Sequence, residues 1–317
     1  MTLELQKLTI RYGDFTAVDE ADVVFPSGAC GLLGPNGAGK SSILKALLGL
    51  VKPTSGDLVL SGRSVSTDPI GVRSLVGYMP ERDAYLPGLN GFETVRLCAQ
   101  LSGVPKSEAT RRAHEVLYLV GLDEQRYRPV AEHSTGMRQK VKLASALVHD
   151  PQVLLLDEPT NGLDPEGREE MLGLIRSVQR DLEKSVILCS HLLHDVEAVC
   201  SDVVVLFKGK VVDHGPTARL VEGAERVFRL EWTSDSPSPL EPLRLLDGVQ
   251  SVESSSETAA ELVCAAAFES RRIFDAVRDT GGAVRSLSVR RQSLEDRFMQ
   301  ALESAVETGR SLEEVAP

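Results

Sequence analysis

The chain has 317 residues, long enough at about 150 residues per domain for two domains with substantial cores. Hydrophobic residues make up 42% and charged residues 26%, which excludes a disordered or fibrous chain. With 35 basic against 46 acidic side chains the formal charge is −11, a field that repels phosphate backbones, so nucleic acid is not an expected partner.

The opening MTLELQKLTIRYGD alternates charged and apolar residues and lacks the apolar core of a secretory signal. The longest apolar runs, Val153–Asp157 and Val203–Phe207, fall far short of the roughly 18 residues that span a membrane, so a membrane role requires another chain to cross. Cys30, Cys98, Cys189, Cys200 and Cys264 are scattered, form no CxxC pair, and fit a reducing cytosol.

The first two hundred residues alternate short apolar runs with helical patterns, the rhythm of an α/β domain with mostly parallel strands. Strands are expected at Leu3–Ile10, Ala29–Leu33, Leu75–Met79, Val153–Asp157, Ser185–Ser190 and Val203–Lys208. VLLLD and VVVLF are apolar without alternation, as strands covered by helices on both faces must be. Helices are expected at Ser41–Gly49, Gly91–Ser102, Lys106–Val120, Thr135–His149, Pro165–Leu182 and Leu192–Cys200, and Gly209-Lys210 reads as a hairpin turn. After Pro216 the texture changes to that of a small α+β appendage over 217–317. It reads as a short helix Thr217–Glu222, a strand Val227–Thr233, a loop over SDSPSPLEP and strands Gly248–Val252 and Ala260–Cys264. A helix Phe268–Thr280, a strand Ala283–Val289, a helix Ser293–Ser304 and a frayed, flexible acidic tail complete it.

Gly34-Pro35-Asn36-Gly37-Ala38-Gly39-Lys40-Ser41 satisfies GxxxxGK[ST] directly after an apolar strand and directly before a helix, the context this phosphate loop demands. The glycines let backbone N–H groups turn inward, the helix N-terminus adds partial positive charge, Lys40 neutralises β/γ oxygens, and Ser41 can ligate Mg²⁺. Asp157 and Glu158 end a buried strand, where α/β sheets gather ligands. Alone they would read as a solvated pair. Beside a phosphate loop, Asp157 suits a Mg²⁺ partner and Glu158 suits a base that polarises an attacking water.

GPNGAGKSS, HSTGMRQK, LLLDEPTNGLD and SH, in this order, resemble the ATPase subunit of an ATP-binding cassette (ABC) transporter over roughly Leu3 to Pro216. The resemblance implies a P-loop NTPase fold with an antiparallel β subdomain and a helical subdomain. It implies that Ser42 joins the phosphate loop, that Tyr12 stacks on adenine, and that His191 is the switch histidine. It also implies that Ser134 and Gly136 of the signature segment, and Asp164 of the D-loop, serve a nucleotide shared with a second subunit, so that two chains close around two ATP molecules. The helix N-terminus at Ser134 suits an anion, and an imidazole at His191 suits a γ-phosphate oxygen and Glu158.

The chain departs from the family pattern at Glu81, where glutamine is usual beside the metal, and at His133, Thr135 and Met137 around the signature serine. YMPE with STGMRQK is similar to the drug-exporter branch, whose permease is a separate chain, and SLEDRF at 293–298 resembles the element that closes such subunits. The expected function is an ATP-hydrolysing subunit on the cytoplasmic face of the cell membrane, driving export by a membrane-spanning partner. That partner's coupling element is expected to dock at Tyr85–Leu101. A soluble ABC ATPase without a membrane partner, and a regulatory nucleotide-binding module, are the alternatives.

Overall fold

A computed structural model of the chain describes residues 2–83, 85–218, 226–233, 238–265 and 268–291. The chain divides into two compact units between Pro216 and Thr217.

In the first unit, β1 (Leu3–Tyr12) pairs antiparallel with β2 (Phe15–Phe25) on one edge. On its other edge it pairs with β4 (Ser55–Leu60), which β5 (Arg63–Ser64) extends. A second sheet has the order β10 (Lys210–Pro216), β9 (Asp202–Phe207), β3 (Ala29–Leu33), β8 (Ser185–Cys189), β7 (Val153–Asp157), β6 (Val76–Met79). Its neighbours are parallel except at the β10 edge. Every residue of β3, β7 and β8 is buried, which is why these strands read as continuous apolar runs. Leu5, Leu8 and Phe25 of the first sheet share a core with Leu32 and Leu155 of the second and with Ile43 and Leu47 of α1 (Lys40–Leu47).

α2 (Pro69–Ser74) precedes β6, and α3 (Gly91–Leu101), α4 (Lys106–Leu119) and α5 (Thr135–Leu147) pack together as a helical group. α3 opens on a reciprocal cap: Asn90 Oδ1 accepts from Glu93 N at 2.8 Å and the Glu93 carboxylate accepts from Asn90 N at 3.0 Å. α6 (Pro165–Asp181) follows β7 with proline in its first turn, and α7 (Leu193–Val199) follows β8.

Four elements of this unit carry no clear pattern in the sequence: β2, β4, β5 and α2. At Lys7 and Glu20 the backbone turns to φ 47° and 46°, and the β1–β2 register shifts, so inside–outside alternation resets within both strands. β5 and α2 are two and six residues long, too short for a period to emerge. The β9–β10 turn lies at Lys208-Gly209, one residue before the expected pair, because both residues have positive φ (46° and 82°) as a tight two-residue hairpin turn requires.

The second unit contains β11 (Arg226–Trp232), α8 (Leu240–Arg244), β12 (Val249–Ser256), β13 (Ala259–Cys264), α9 (Arg271–Asp279) and β14 (Val284–Arg291). The sheet order β12-β13-β11-β14, antiparallel throughout, is a split β-α-β arrangement. Phe228, Leu230, Trp232 and Leu262 of the sheet pack with Leu243 of α8 and Ile273 and Val277 of α9 in a core of their own. α8 replaces part of the expected proline loop; Pro239 precedes the helix and Pro242 lies in its first turn, where no backbone N–H is missed. The expected helix Ser293–Ser304, the tail, and Thr217–Glu222 beyond its first two residues lie outside the described residues. Among the described residues, no helix is long and apolar enough to cross a membrane.

Candidate active site

Four neighbouring strands end at one edge of the six-stranded sheet. Cys189 pairs with both Leu32 and Asp157, and Leu156 pairs with Met79. The residues that follow these strands are therefore brought to the same edge: Gly34 after β3, His191 after β8, Glu158 after β7 and Glu81 after β6. This is where parallel sheets bind ligands.

The loop between β3 and α1 curls so tightly that glycine is required at two positions. Gly34 has φ 157° and a Cβ there would lie 2.4 Å from Leu206 O; Gly39 has φ 109° and its Cβ would lie 2.5 Å from Ala17 O. Gly39 provides no side-chain cap, so the N-terminus of α1 is open to an anion. Lys40 is buried, and its Nζ donates to Gly34 O at 2.5 Å and Pro35 O at 3.2 Å. A buried ammonium whose hydrogen bonds go to neutral carbonyls is poised for an anionic partner.

A cleft of about 430 Å³ brings together Tyr12, residues 36–42 of the loop, Glu81, Asp157, Glu158 and His191. Asp157 is buried, and burial first, then the charges of Glu81 and Glu158, raise its pKa above the ordinary aspartate value. Glu158 turns out of β7 with φ 50°, and His191 clasps its carboxylate twice. The His191 backbone N–H donates to Oε1 at 3.0 Å, and Nδ1 lies 2.8 Å from Oε2. A carboxylate partner at this distance orients the ring by placing a proton on Nδ1. The segment bearing Glu81 is fixed from behind, where the buried Lys142 Nζ donates to Pro80 O at 2.8 Å and Glu81 O at 2.9 Å.

Ser134, Gly136 and Asp164 do not line this cleft. Ser134 caps α5 by accepting from Met137 N at 3.2 Å, and Asp164 caps α6 by accepting from Gly167 N at 2.9 Å. Gly34 and Pro35 also lie outside the lining and contribute carbonyls to Lys40. His133, in place of an apolar residue, is buried with Nε2 at 3.2 Å from Gln125 O. Phe15 and Ala17 line the cleft without having been singled out in the sequence, and Asn161, the first residue of the expected D-loop Asn161–Asp164, lines it as well. Phe15 is directly opposite Tyr12 across the β1–β2 turn, a juxtaposition that requires β2 to be recognised first. A larger groove of about 730 Å³, lined by Tyr85, Leu101, Ile70 and Val141 among others, contains none of the candidate catalytic residues.

Residues 23–161 match the family model described as ABC transporter. The uncharacterized ABC transporter ATP-binding protein YhcH of Bacillus subtilis (strain 168) is 31% identical over 99% of this chain and 98% of its own length. The Nod factor export ATP-binding protein I of Cupriavidus metallidurans is 32% identical over 95% of this chain and 97% of its own. The solved structure of CbiO1 from Clostridium perfringens, part of the ABC transporter complex CbiONQ, is 26% identical with a TM-score of 0.63, covering 69% of this chain and 89% of that one. Matched to such relatives along almost its whole length, and with a phosphate loop facing a paired glutamate and histidine, the chain belongs to the ABC transporter family as an ATP-binding, ATP-hydrolysing subunit.

Proposed function

We propose that the chain binds MgATP in the cleft, dimerises around two nucleotides, and drives export through a separate membrane-spanning permease from the cytoplasmic face. The observation that carries the reading is the Glu158–His191 pair, held at 2.8 Å beside the Lys40 loop. Water attacks the γ-phosphorus in line, Glu158 takes its proton, and the bond to the β–γ bridging oxygen breaks to release ADP and phosphate. Lys40 and the open N-terminus of α1 meet the phosphate charge, and His191 keeps Glu158 turned toward the water. Ser41, Asp157 and Glu81 are the residues that would hold Mg²⁺, which when bound supplies positive charge to the phosphate oxygens. Asp157 supports this assignment, since its burial and its two carboxylate neighbours disfavour its own charge and an added cation relieves that penalty. Tyr12 stacks on the base.

Ser134, Gly136 and Asp164 lie outside the chain's own cleft, which fits a second copy presenting them to the γ-phosphate. The 730 Å³ groove suits the permease's coupling element, since it includes Tyr85 and Leu101 and is mainly apolar. The Nod factor export protein among the relatives supports an export direction, and CbiO1, part of an ABC transporter complex, supports assembly with partner chains. Residues 1–216 serve as the ATP-binding domain and residues 217–317 as an accessory domain.

The test is Glu158→Gln. With MgATP it is expected to stop releasing phosphate and to accumulate as a nucleotide-bound dimer in light scattering. A monomer with full phosphate release would defeat the composite-site reading. Recovery of a multi-span protein with the tagged chain from detergent-solubilised membranes tests the partner, and recovery from the soluble fraction alone would remove it.

A further inference from the structure

Asp195 carries a carboxylate that the cleft does not use. It is completely shielded from solvent, in the first turn of α7, four residues after His191. Thr160 Oγ1 donates to its Oδ2 in a short hydrogen bond. Thr160 is itself buried, two residues beyond Glu158 and next to Asn161, which lines the cleft. The other oxygen, Oδ1, faces Arg168 Nε of α6 at 3.9 Å, and both atoms are buried without a hydrogen-bond partner. One carboxylate thus connects the loop that carries Glu158, the helix that follows Asp164 and the helix that follows His191.

α7 also contacts α6, where Arg176 Nη1 donates to Ala198 O at 3.4 Å. It is seven residues long, begins without a side-chain cap, and rests on β3 where Gly31 makes room for Val196; a Cβ at Gly31 would lie 2.4 Å from Val196 Cγ1. That contact holds α7 against the sheet, while the Thr160–Asp195 hydrogen bond ties it to the Glu158 loop. A contact at 3.9 Å to a partly exposed arginine contributes little to stability, so the carboxylate at this position is better explained by the geometry it fixes.

We propose that Asp195 is a positioning residue for hydrolysis, holding His191 and the segment from Glu158 to Asn161 in register through Thr160 and Arg168. The proposal rests on the assignment of Glu158 and His191 made above.

Steady-state phosphate release from the full chain tests it, using Thr160→Val, Thr160→Ser, Asp195→Asn and Asp195→Ala beside Glu158→Gln. Thr160→Val and Asp195→Ala are each expected to lower kcat by about tenfold or more with the ATP KM within about threefold, a loss confined to the transition state. Thr160→Ser restores the rate, Asp195→Asn retains part of it, and the double variant Thr160→Val/Asp195→Ala is no slower than the worse single, as for two residues acting as one unit. Unchanged kcat in Thr160→Val and Asp195→Ala, a KM effect alone, or losses that multiply in the double variant would each overturn the proposal. If Asp195→Ala does not fold, the Thr160→Val and Thr160→Ser pair decides the question. Normal hydrolysis by Glu158→Gln removes the site assignment and this proposal with it. Loss there, with Thr160→Val at the wild-type rate, removes this proposal alone.

Discussion

Replacing His191 by alanine separates its two contacts with Glu158. The imidazole contact at 2.8 Å disappears, while the backbone N–H at 3.0 Å still holds Oε1. A hydrogen bond to a charged group contributes about 1.5–3 kcal/mol. The His191 side chain is 52% exposed, so water replaces part of the lost bond and the lower half of that range applies. At 1.36 kcal/mol per factor of ten, about 1.5–2 kcal/mol corresponds to a fall in kcat of roughly ten- to thirtyfold. Glu158→Gln removes the base itself, an effect of about 10²–10⁴-fold. The order of the two losses is therefore set by the geometry, with His191→Ala the milder. Phosphate release at saturating MgATP reads kcat, and a nucleotide titration reads KM, which stays near wild type because the phosphate loop is untouched. Activity within twofold of wild type, or a loss equal to that of Glu158→Gln, would refute the role given to His191.

Asp157→Asn removes a buried carboxylate whose pKa is raised by burial and by Glu81 and Glu158. A folded-state pKa above the unfolded one means that ionisation destabilises the fold, progressively as pH rises from the ordinary value of 3.8 through the folded value. Without nucleotide, the variant should resist urea better than wild type at neutral pH. The advantage should shrink as pH falls toward 3.8, and Mg²⁺-dependent hydrolysis should be lost; an advantage that does not vary with pH contradicts the reasoning. Tyr12 and Phe15 are opposite one another across a hairpin turn and line the cleft with Ala17, and stacking tolerates any base. GTP should therefore be hydrolysed with kcat/KM within about fivefold of ATP, and Phe15→Ala should raise KM for both by about fivefold or more, at about 1–3 kcal/mol per stacked base. A strong preference for ATP in Phe15→Ala and wild type alike would point to a polar contact with the base. Gly39→Ala places a Cβ at φ 109°, 2.5 Å from Ala17 O. The left-handed backbone alone costs about 1–2 kcal/mol, so thermal unfolding should shift down and nucleotide affinity should fall; an unchanged melting temperature would show that the loop can relax.

Much of the site was legible in the sequence because its chemistry is contiguous. Gly34 to Ser41 form one turn, and its glycines, lysine and serine have their roles by virtue of adjacency. Asp157 and Glu158 end an apolar run whose complete burial follows from its composition, and a strand end in a parallel sheet is a ligand-binding edge. The capped helices at Asn90, Ser134 and Asp164 were equally local, since a cap bonds to the third residue beyond it. The appendage after Pro216 was visible as a change of texture, although α8 was hidden by prolines that a first helical turn accommodates.

Other features depended on distance in sequence being converted into contact. The bulges at Lys7 and Glu20 erased the period of β1 and β2, so Phe15 had no recognisable strand and no visible relation to Tyr12. The Glu158–His191 contact joins residues 33 apart and exists because β7 and β8 are neighbours with Asp157 level with Cys189. Asp195 and Thr160 are 35 apart, and nothing in LLHDVEA distinguishes a fully shielded carboxylate from a solvated one. Local bonding obeys spacing along the chain, and the sequence states spacing directly. Burial and charge pairing obey strand order and register, and these are fixed only when the whole sheet closes around a single core.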